Sequence, residues 1–241
     1  MREIGFMIQR ELSFYLRSPL GFIVMAAVLV IDGLLFNAWA IGDGQRRSSE
    51  VLEIFFYCKS GTTLLASIFI AMRLIAEERQ EGTLVLLTTS PLKDYHIVLG
   101  KFFAALIFLV MLNVLTFTMP ALVAWHGKVS LGHMAAGYLG LLLLGGASLA
   151  IGLFASAFSP NQLVAAILGA ALITVFVLLW LLSRIASPPI ETMLSYLSLH
   201  DKHFRPFMRG IVSLQDVVFY ISLTYVALVA ATRVLEARRW R

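Results

Sequence analysis

The chain has 241 residues, of which 59% are hydrophobic and 14% are charged, and its mean hydropathy is +0.86. A soluble domain carries about 25% charged and about 45–50% apolar residues. The composition therefore excludes an ordinary soluble domain, which would lack polar surface to meet water. The net charge of +5 is scattered between apolar runs, which argues against nucleic-acid binding and is typical of residues that orient a membrane protein. The single cysteine, Cys58, excludes an intrachain disulfide and a cysteine metal cluster.

Residues 1–18 form a pattern typical of an amphipathic helix that lies in the membrane interface. At helical spacing, one face is apolar and the opposite face is polar: Ile4, Ile8, Leu12 and Tyr15 against Arg2, Gln9, Arg10, Ser13 and Arg17. The early charges, with no small-residue cleavage site after the first apolar run, predict a retained span instead of a signal peptide. Two roles stay open for this helix, simple anchoring or a lateral brace that also contacts a cytoplasmic partner.

Six segments are long and apolar enough to cross a bilayer, which takes about 20 residues each. The stretch from Val129 to Ser183 contains no Asp, Glu, Lys or Arg and is too long for one crossing. Pro160 and Asn161 supply turn chemistry in its middle, so it is divided there. The sequence predicts one all-α transmembrane domain over residues 1–241, with spans at about 20–41, 54–76, 102–125, 133–157, 162–183 and 211–232.

Charged residues inside or beside these spans are candidates for special roles. Asp32 is the only acid well inside a span, so a functional role and pairing with a neighbour or the dimer seam are weighed equally. Lys59 and Arg73 lie near the two ends of the second span and are expected to snorkel towards headgroups. Small residues at helical spacing in the fourth and fifth spans predict close helix packing, namely Ser148, Gly152, Ser156, Ala165 and Gly169.

The distribution of Lys and Arg predicts the orientation. An even number of spans puts both termini on one side, and that side carries more cations, including a cluster directly after the last span: Arg233, Arg238, Arg239 and Arg241. Both termini are therefore expected to be cytoplasmic.

The segment 77–100 between the second and third spans is expected on the same side as the termini. A charged cluster leads into a short apolar helix that contains Leu84, Leu86 and Leu87 and that Pro91 closes. Gly82 permits a turn, and Thr83 is a suitable cap for the helix that follows. An apolar face flanked by carboxylates suits docking into a groove of another protein. Ordinary solvation of a helix end accounts for the charges but not for the leucines.

The segment 184–210 is expected on the opposite side. Pro188-Pro189 ends the fifth span, and residues 190–199 are expected to make a short helix on the membrane. His200, Asp201 and His203 follow close together. A metal site would need more ligands, so an ordinary polar loop is favoured over a metal centre.

Three stretches carry a resemblance to a known family. They are Met72-Arg-Leu-Ile-Ala-Glu-Glu-Arg-Gln-Glu-Gly-Thr83, Leu86-Leu-Thr-Thr-Ser-Pro91 and Val98-Leu-Gly-Lys101. They resemble the cytoplasmic loop that carries the coupling helix in permease subunits of type-2 ATP-binding-cassette (ABC) exporters, although Thr88 stands where that pattern often has Leu. The outer stretch Tyr196-Leu-Ser-Leu-His-Asp-Lys-His-Phe204, continuing to Gly210 and Asp216, is similar to the branch associated with gliding motility; a copper-site maturation permease is a nearby relative.

The resemblance implies an exporter permease in a bacterial cytoplasmic (inner) membrane. It implies an amphipathic amino-terminal helix, six spans, pairing with a second permease as homodimer or heterodimer, and two separate ABC ATPase subunits that bind ATP and Mg. It places the ATPase contact at Glu77, Glu78, Arg79, Glu81, Gly82, Thr83, Ser90 and Pro91. No phosphate-binding Gly-x-x-x-x-Gly-Lys-Ser/Thr loop occurs in the chain, since Gly100-Lys101 is followed by Phe102. The chain is therefore expected to hold no cofactor and to hydrolyse no nucleotide itself.

Three other classes compete with this interpretation. A secondary transporter usually carries several ionisable groups near the midplane, and here only Asp32 qualifies. An intramembrane serine protease would need a histidine base, and although Ser148 follows Gly146-Ala147, the last span contains no His. A membrane scaffold subunit without transport activity is the remaining alternative.

Overall fold

A computed structural model of the protein describes residues 2–42, 46–83, 93–127 and 129–239, and these residues form helices joined by short connections. Six helical segments among them are long and apolar enough to cross a membrane: Pro19–Ile41, Ser48–Gln80, Asp94–Trp125, Leu131–Phe158, Gln162–Ser183 and Leu214–Ala237. These are called the first to the sixth span below. The predicted fold class, an all-α membrane protein with six spans, is confirmed.

The helices are numbered in chain order. They are α1 (Arg2–Arg17), α2 (Pro19–Leu35, continued by a π-helical turn at Phe36–Ile41), α3 (Ser48–Ala71), α4 (Ala76–Gln80), α5 (Asp94–Leu115), α6 (Thr118–His126), α7 (Leu131–Phe158), α8 (Gln162–Ser183), α9 (Ile190–Leu197), α10 (Arg205–Met208) and α11 (Leu214–Arg239). Several helices extend past the apolar run that predicted them. A helix needs backbone hydrogen bonds along its whole length but apolar side chains only where lipid surrounds it.

Local sequence explains where two of the spans begin. Ser18 caps α2 by accepting a hydrogen bond from the Gly21 amide at 3.1 Å, with Pro19 at the first helical position. Asn161 caps α8 in the same way, because its side-chain oxygen accepts from the Val164 amide at 2.9 Å. The uncharged stretch is thus interrupted between Phe158 and Gln162.

Helix α7 is the centre of the bundle, and its small residues let neighbours approach closely. A Cβ atom added at Gly152 would lie 2.5 Å from the Cβ of Ala71, and one at Gly140 would lie 2.5 Å from the Cβ of Phe207. Both distances are far below van der Waals contact, so these positions need glycine. The spacing of small residues in this span thus serves helix packing.

Helix α1 packs along α5 instead of lying free in the interface. Met7 contacts Gly100, where an added Cβ would come within 2.7 Å of the Met7 Cβ. The Tyr15 ring stacks on Phe108 at 5.1 Å, and its hydroxyl donates to the Ile70 carbonyl at 3.1 Å. These contacts make α1 a brace for the second and third spans.

The first, fifth and sixth spans are the least buried within the chain, while the fourth is the most buried. Their outward faces carry large apolar side chains such as Ile23, Leu163 and Val226. Lipid or another protein must cover these faces in the membrane.

Candidate functional site

The second span is interrupted just before its charged end. Between α3 and α4, the chain turns at residues 72–75, which leaves backbone groups without helical partners. Ser156 of α7 satisfies them with one hydroxyl, which accepts from the amides of Ile75 and Ala76 at 3.0 and 2.9 Å. The same hydroxyl lies 3.2 Å from the Met72 carbonyl, to which it donates.

Helix α4 is also tied to the junction between α7 and α8. The Arg79 guanidinium donates to the carbonyl of Ala157 at 2.8 Å and to the carbonyl of Ser159. Both carbonyls lie at the carboxyl end of α7, where the helix dipole favours a cation. The Gln80 side-chain oxygen accepts from the Gln162 amide at 3.4 Å. Arg79 thus holds α4 against α7.

On its other side, α4 joins a cluster of alternating charges with α1 and α5. Glu78 lies 2.9 Å from the Arg10 guanidinium and 3.0 Å from the Lys101 ammonium group. Glu11 lies 2.6 Å from Arg10 and 3.1 Å from Lys101. Burial raises the pKa of Glu11, but Lys101 and Arg10 together outweigh burial and hold this pKa below its ordinary value. Glu11 is therefore ionised at neutral pH and completes the cluster.

Sequence reasoning missed Glu11 and Lys101 as partners of Glu78. Glu11 lies on a helix that was interpreted from its apolar face alone. Lys101 lies in the stretch Val98-Leu-Gly-Lys101 that carries the family resemblance, but the resemblance assigned it no role. A lysine directly before an otherwise apolar run was the available signal in the sequence, because a charge that the fold buries there needs a partner.

The remaining predicted contact residues have different positions. Glu77 holds Arg73 through two hydrogen bonds, at 2.9 and 2.6 Å, and Glu81 is exposed. Gly82 has a φ of 73°, a left-handed conformation that glycine adopts without strain. The Thr83 hydroxyl donates to the Glu78 carbonyl at 3.2 Å and closes α4. The helix that Thr83 was predicted to cap lies outside the described residues. Ser90, Pro91 and the leucines at 84, 86 and 87 lie outside the described residues.

Asp32 and Lys59 form an ion pair inside the membrane-spanning bundle. One carboxylate oxygen of Asp32 lies 2.6 Å from the Lys59 ammonium, and the other accepts from the Thr62 hydroxyl at 2.6 Å. The exposed fractions of the Asp32 and Lys59 side chains are both 2%. Of the alternatives weighed for Asp32, the structure shows pairing with a neighbour.

The expectation that Lys59 and Arg73 snorkel to headgroups is wrong. Lys59 turns inwards because Asp32 lies at the same depth on the adjacent antiparallel helix, where an unpaired charge would be costly. Arg73 is only 7% exposed, since Glu77 holds its guanidinium and the Phe14 ring lies over it at 5.0 Å. Lys59 and Arg73 thus pair with carboxylates of the protein instead of lipid headgroups.

On the opposite side of the bundle, His203 is held between two acceptors. Its Nδ1 lies 2.6 Å from a carboxylate oxygen of Asp216, and its Nε2 lies 2.9 Å from the Tyr196 carbonyl. A carbonyl oxygen only accepts, so Nε2 carries a proton and donates to Tyr196. The ring also stacks on Phe219 at 3.8 Å. His203 therefore anchors the segment between the fifth and sixth spans.

The other two residues considered as metal ligands, His200 and Asp201, have separate partners. His200 lies 2.7 Å from the Ser60 hydroxyl, and Asp201 lies 2.8 Å from Arg205. Ser60 donates its only hydroxyl proton to the Tyr57 carbonyl at 2.6 Å, so it accepts from His200. In the part of the chain that the structure describes, no group of three or more His, Cys, Asp or Glu side chains is arranged to hold a metal ion.

We expect thermal stability to fall as pH is lowered from 7 to 5, in part because of His200. Burial lowers the pKa of His200, against a smaller opposing effect of Asp201 and with Arg205 adding to the decrease. In the unfolded chain the imidazole takes up a proton near pH 6.5, whereas in the folded chain it does so at lower pH. As the pH falls below about 6.5, the free energy of unfolding therefore decreases by up to about 1.4 kcal/mol per pH unit.

Thermal unfolding in a mild detergent at several pH values measures this loss. The His200→Gln variant keeps a donor for Ser60 but has no titrating ring, and its unfolding temperature should depend less on pH. An unchanged pH dependence in that variant would contradict the assignment to His200.

The chain belongs to the ABC-2 family of transporter proteins: the family model described as "ABC-2 family transporter protein" matches residues 48–238. A comparison with curated proteins finds no match. The chain is thus the multi-pass membrane permease subunit of an ABC-2 transporter, a subunit that lacks the ATPase, and permeases of this family generally pair with ATPase subunits. The six-span helical architecture is consistent with that family's permease fold. The matched residues begin at α3, so α1 and Asp32 lie before them.

Proposed function

We propose that the chain forms half of an exporter and that residues 77–91 transmit the movement of separate ATPase subunits to the bundle. One observation carries this proposal. Helix α4 is bonded at once to α1 and α5 through Glu78, and to α7 through Arg79. A push on α4 therefore displaces several helices together.

In this mechanism, two copies of an ABC ATPase bind ATP with Mg and close, and their movement presses on the coupling segment. Glu81 and Gly82 are exposed, and in this mechanism they contact the ATPase surface. Glu77, Glu78 and Arg79 are engaged inside the permease and pass the displacement on, while Thr83 closes α4. Ser90 and Pro91 complete the proposed contact. A conformational change requires contacts that differ between two states, and this charge cluster has partners to exchange.

The proposal extends to assembly and location. A second permease, identical or different, covers part of the poorly buried first, fifth and sixth spans. The single transmembrane domain lies in a bacterial cytoplasmic membrane with both termini and the coupling loop 77–100 in the cytoplasm. The resemblance of Tyr196–Phe204, Gly210 and Asp216 is the ground for assigning the chain to the gliding-motility-associated branch.

Purification from native membranes tests the proposal, with the co-purifying chains identified by mass spectrometry and the ATPase rate measured in nanodiscs. We expect an ATPase subunit in the complex. Glu81→Lys should reduce its recovery, because a contact carboxylate is reversed. Glu78→Gln should retain the ATPase but change its permease-dependent rate by roughly threefold to tenfold, about the net effect of one ordinary hydrogen bond.

Glu236→Gln is the matched control, since Glu236 is an exposed carboxylate paired with Arg233 near the end of the sixth span. It should change neither recovery nor rate. A complex without any ATPase, or labelling of a cysteine at position 81 from the outside of intact cells, would overturn the proposal.

A further inference from the structure

We propose that the groove between α1 and the α3–α4 junction binds one anionic phospholipid. The groove is amphipathic along its length. Its polar end is a cleft of about 670 Å³, and its apolar end is an adjoining cleft of about 550 Å³. Phe14, Arg17 and Arg73 line both clefts and join them into one groove. The polar cleft is also lined by Glu77, Glu78, Glu81 and Thr83 of the proposed coupling segment, but lipid binding at Arg17 does not require the ATPase contact.

The polar end contains arginine side chains with hydrogen-bond donors or charge that other described residues do not engage. Arg73 gives its Nε and Nη2 to Glu77, whereas its buried Nη1 has no hydrogen-bond partner among the described residues. Arg17 is exposed, and in the ranges that the structure describes it forms no ion pair. Arginine presents its donors in a geometry that suits phosphate oxygens. Arg17 forms the proposed phosphate site, with Arg73 beside it in the groove.

The carboxylates in the polar cleft do not cancel this charge at Arg17. Glu11 and Glu78 are shared between Arg10 and Lys101, and Glu77 is held by Arg73. Glu81 is exposed and also lines the cleft, where its negative charge acts on Arg73. The cation that remains available is therefore the one nearest the apolar end.

The apolar end suits acyl chains. It is lined by Pro19, Leu20, Ile23 and Phe14, and the exposed fraction of Ile23 is 63%. Helix α1 ends at Arg17 and the first span begins at Pro19, so the groove lies where the chain passes from α1 into the first span. At that level, anionic headgroups are attracted to basic side chains. A free phosphate would use only the polar end, whereas a phospholipid fills both.

Native mass spectrometry of the purified full chain in mild detergent tests the site, with dioleoyl phosphatidylglycerol, dioleoyl phosphatidylcholine and soluble glycerophosphoglycerol as probes. We expect one phosphatidylglycerol per chain, bound at least about fivefold more tightly than phosphatidylcholine, as one arginine contact implies. Glycerophosphoglycerol should show no retention at the same concentrations. Arg17→Gln should remove the preference for phosphatidylglycerol, and Ile23→Asn should weaken both lipids.

Arg233→Gln is the matched control. Arg233 is an exposed arginine near the carboxyl end of the sixth span and lines neither cleft of the groove. It should leave the preference unchanged. An equal loss in Arg17→Gln and Arg233→Gln would overturn the proposal in favour of general surface charge. Retention of glycerophosphoglycerol as tight as that of the lipid would overturn it in favour of a free-anion site. An unchanged preference for phosphatidylglycerol in Arg17→Gln would overturn the assignment of the lipid to this groove.

Discussion

Replacing Asp32 with alanine should lower the free energy of unfolding by about 3–5 kcal/mol, because it leaves the Lys59 ammonium buried without its counter-ion. Lys59 and Asp32 are both almost completely enclosed, so water does not take the place of the lost carboxylate. Thr62 also loses the acceptor for its hydroxyl. Unfolding of the purified variant in detergent, by temperature or by SDS titration, measures the loss.

A double variant separates the ion pair from the packing around it. Lys59→Met alone should be nearly as damaging as Asp32→Ala, since it leaves a buried carboxylate with one remaining partner. Asp32→Leu combined with Lys59→Met removes both charges and should recover most of the stability, as replacement of buried ion pairs by apolar residues often does. If the double variant is as unstable as the two single losses added together, the pair is not the source of the effect.

Gly152→Ala should destabilise the protein by about 1–3 kcal/mol, the usual cost of overpacking a close contact. The new methyl group would lie 2.5 Å from the Cβ of Ala71, which is a fixed atom, so a helix backbone has to move. The displaced helix, α3, carries Lys59 and leads into α4. The unfolding temperature of the purified chain reports the cost.

Gly146→Ala on the same helix is the matched control. A Cβ atom there would lie 3.6 Å from a methyl group of Leu106, an ordinary van der Waals contact. Alanine also favours a helix interior over glycine by about 0.5–1 kcal/mol. Gly146→Ala should therefore be neutral or slightly stabilising, and equal damage from both changes would contradict the close approach of α3 and α7 at Gly152.

The six spans could be predicted because a bilayer forces long apolar runs into helices, and such runs are visible without any knowledge of tertiary contacts. The break at Pro160 and Asn161 was visible for the same local reason. Helix ends were less accessible. Asp94 begins α5 although the apolar run begins at Phe102, because hydropathy marks lipid contact and not the helix terminus.

The pairing of charges was harder to predict because it depends on which helices are neighbours. Asp32 precedes the carboxyl end of the first span and Lys59 follows the start of the second by similar lengths of helix, so a tight hairpin brings them to one depth. The number of residues between each charge and the connection is therefore a geometric signal for this pairing. The contacts of Glu78 with Arg10 and Lys101 join three helices, and no pattern local to any one of them indicates that arrangement.

The hydroxyl of Ser156 has a consequence for the interpretation of genetic data. It accepts from two amides that lie 80 and 81 positions earlier in the chain, at the interruption before the charged end of the second span. A mutational scan would record Ser156→Ala as a lesion of the fourth span, although its phenotype would arise from a loosened joint in the second. Suppressor mutations that repair it should accordingly cluster around positions 72–76, where altered side chains or turn residues compensate for the missing acceptor.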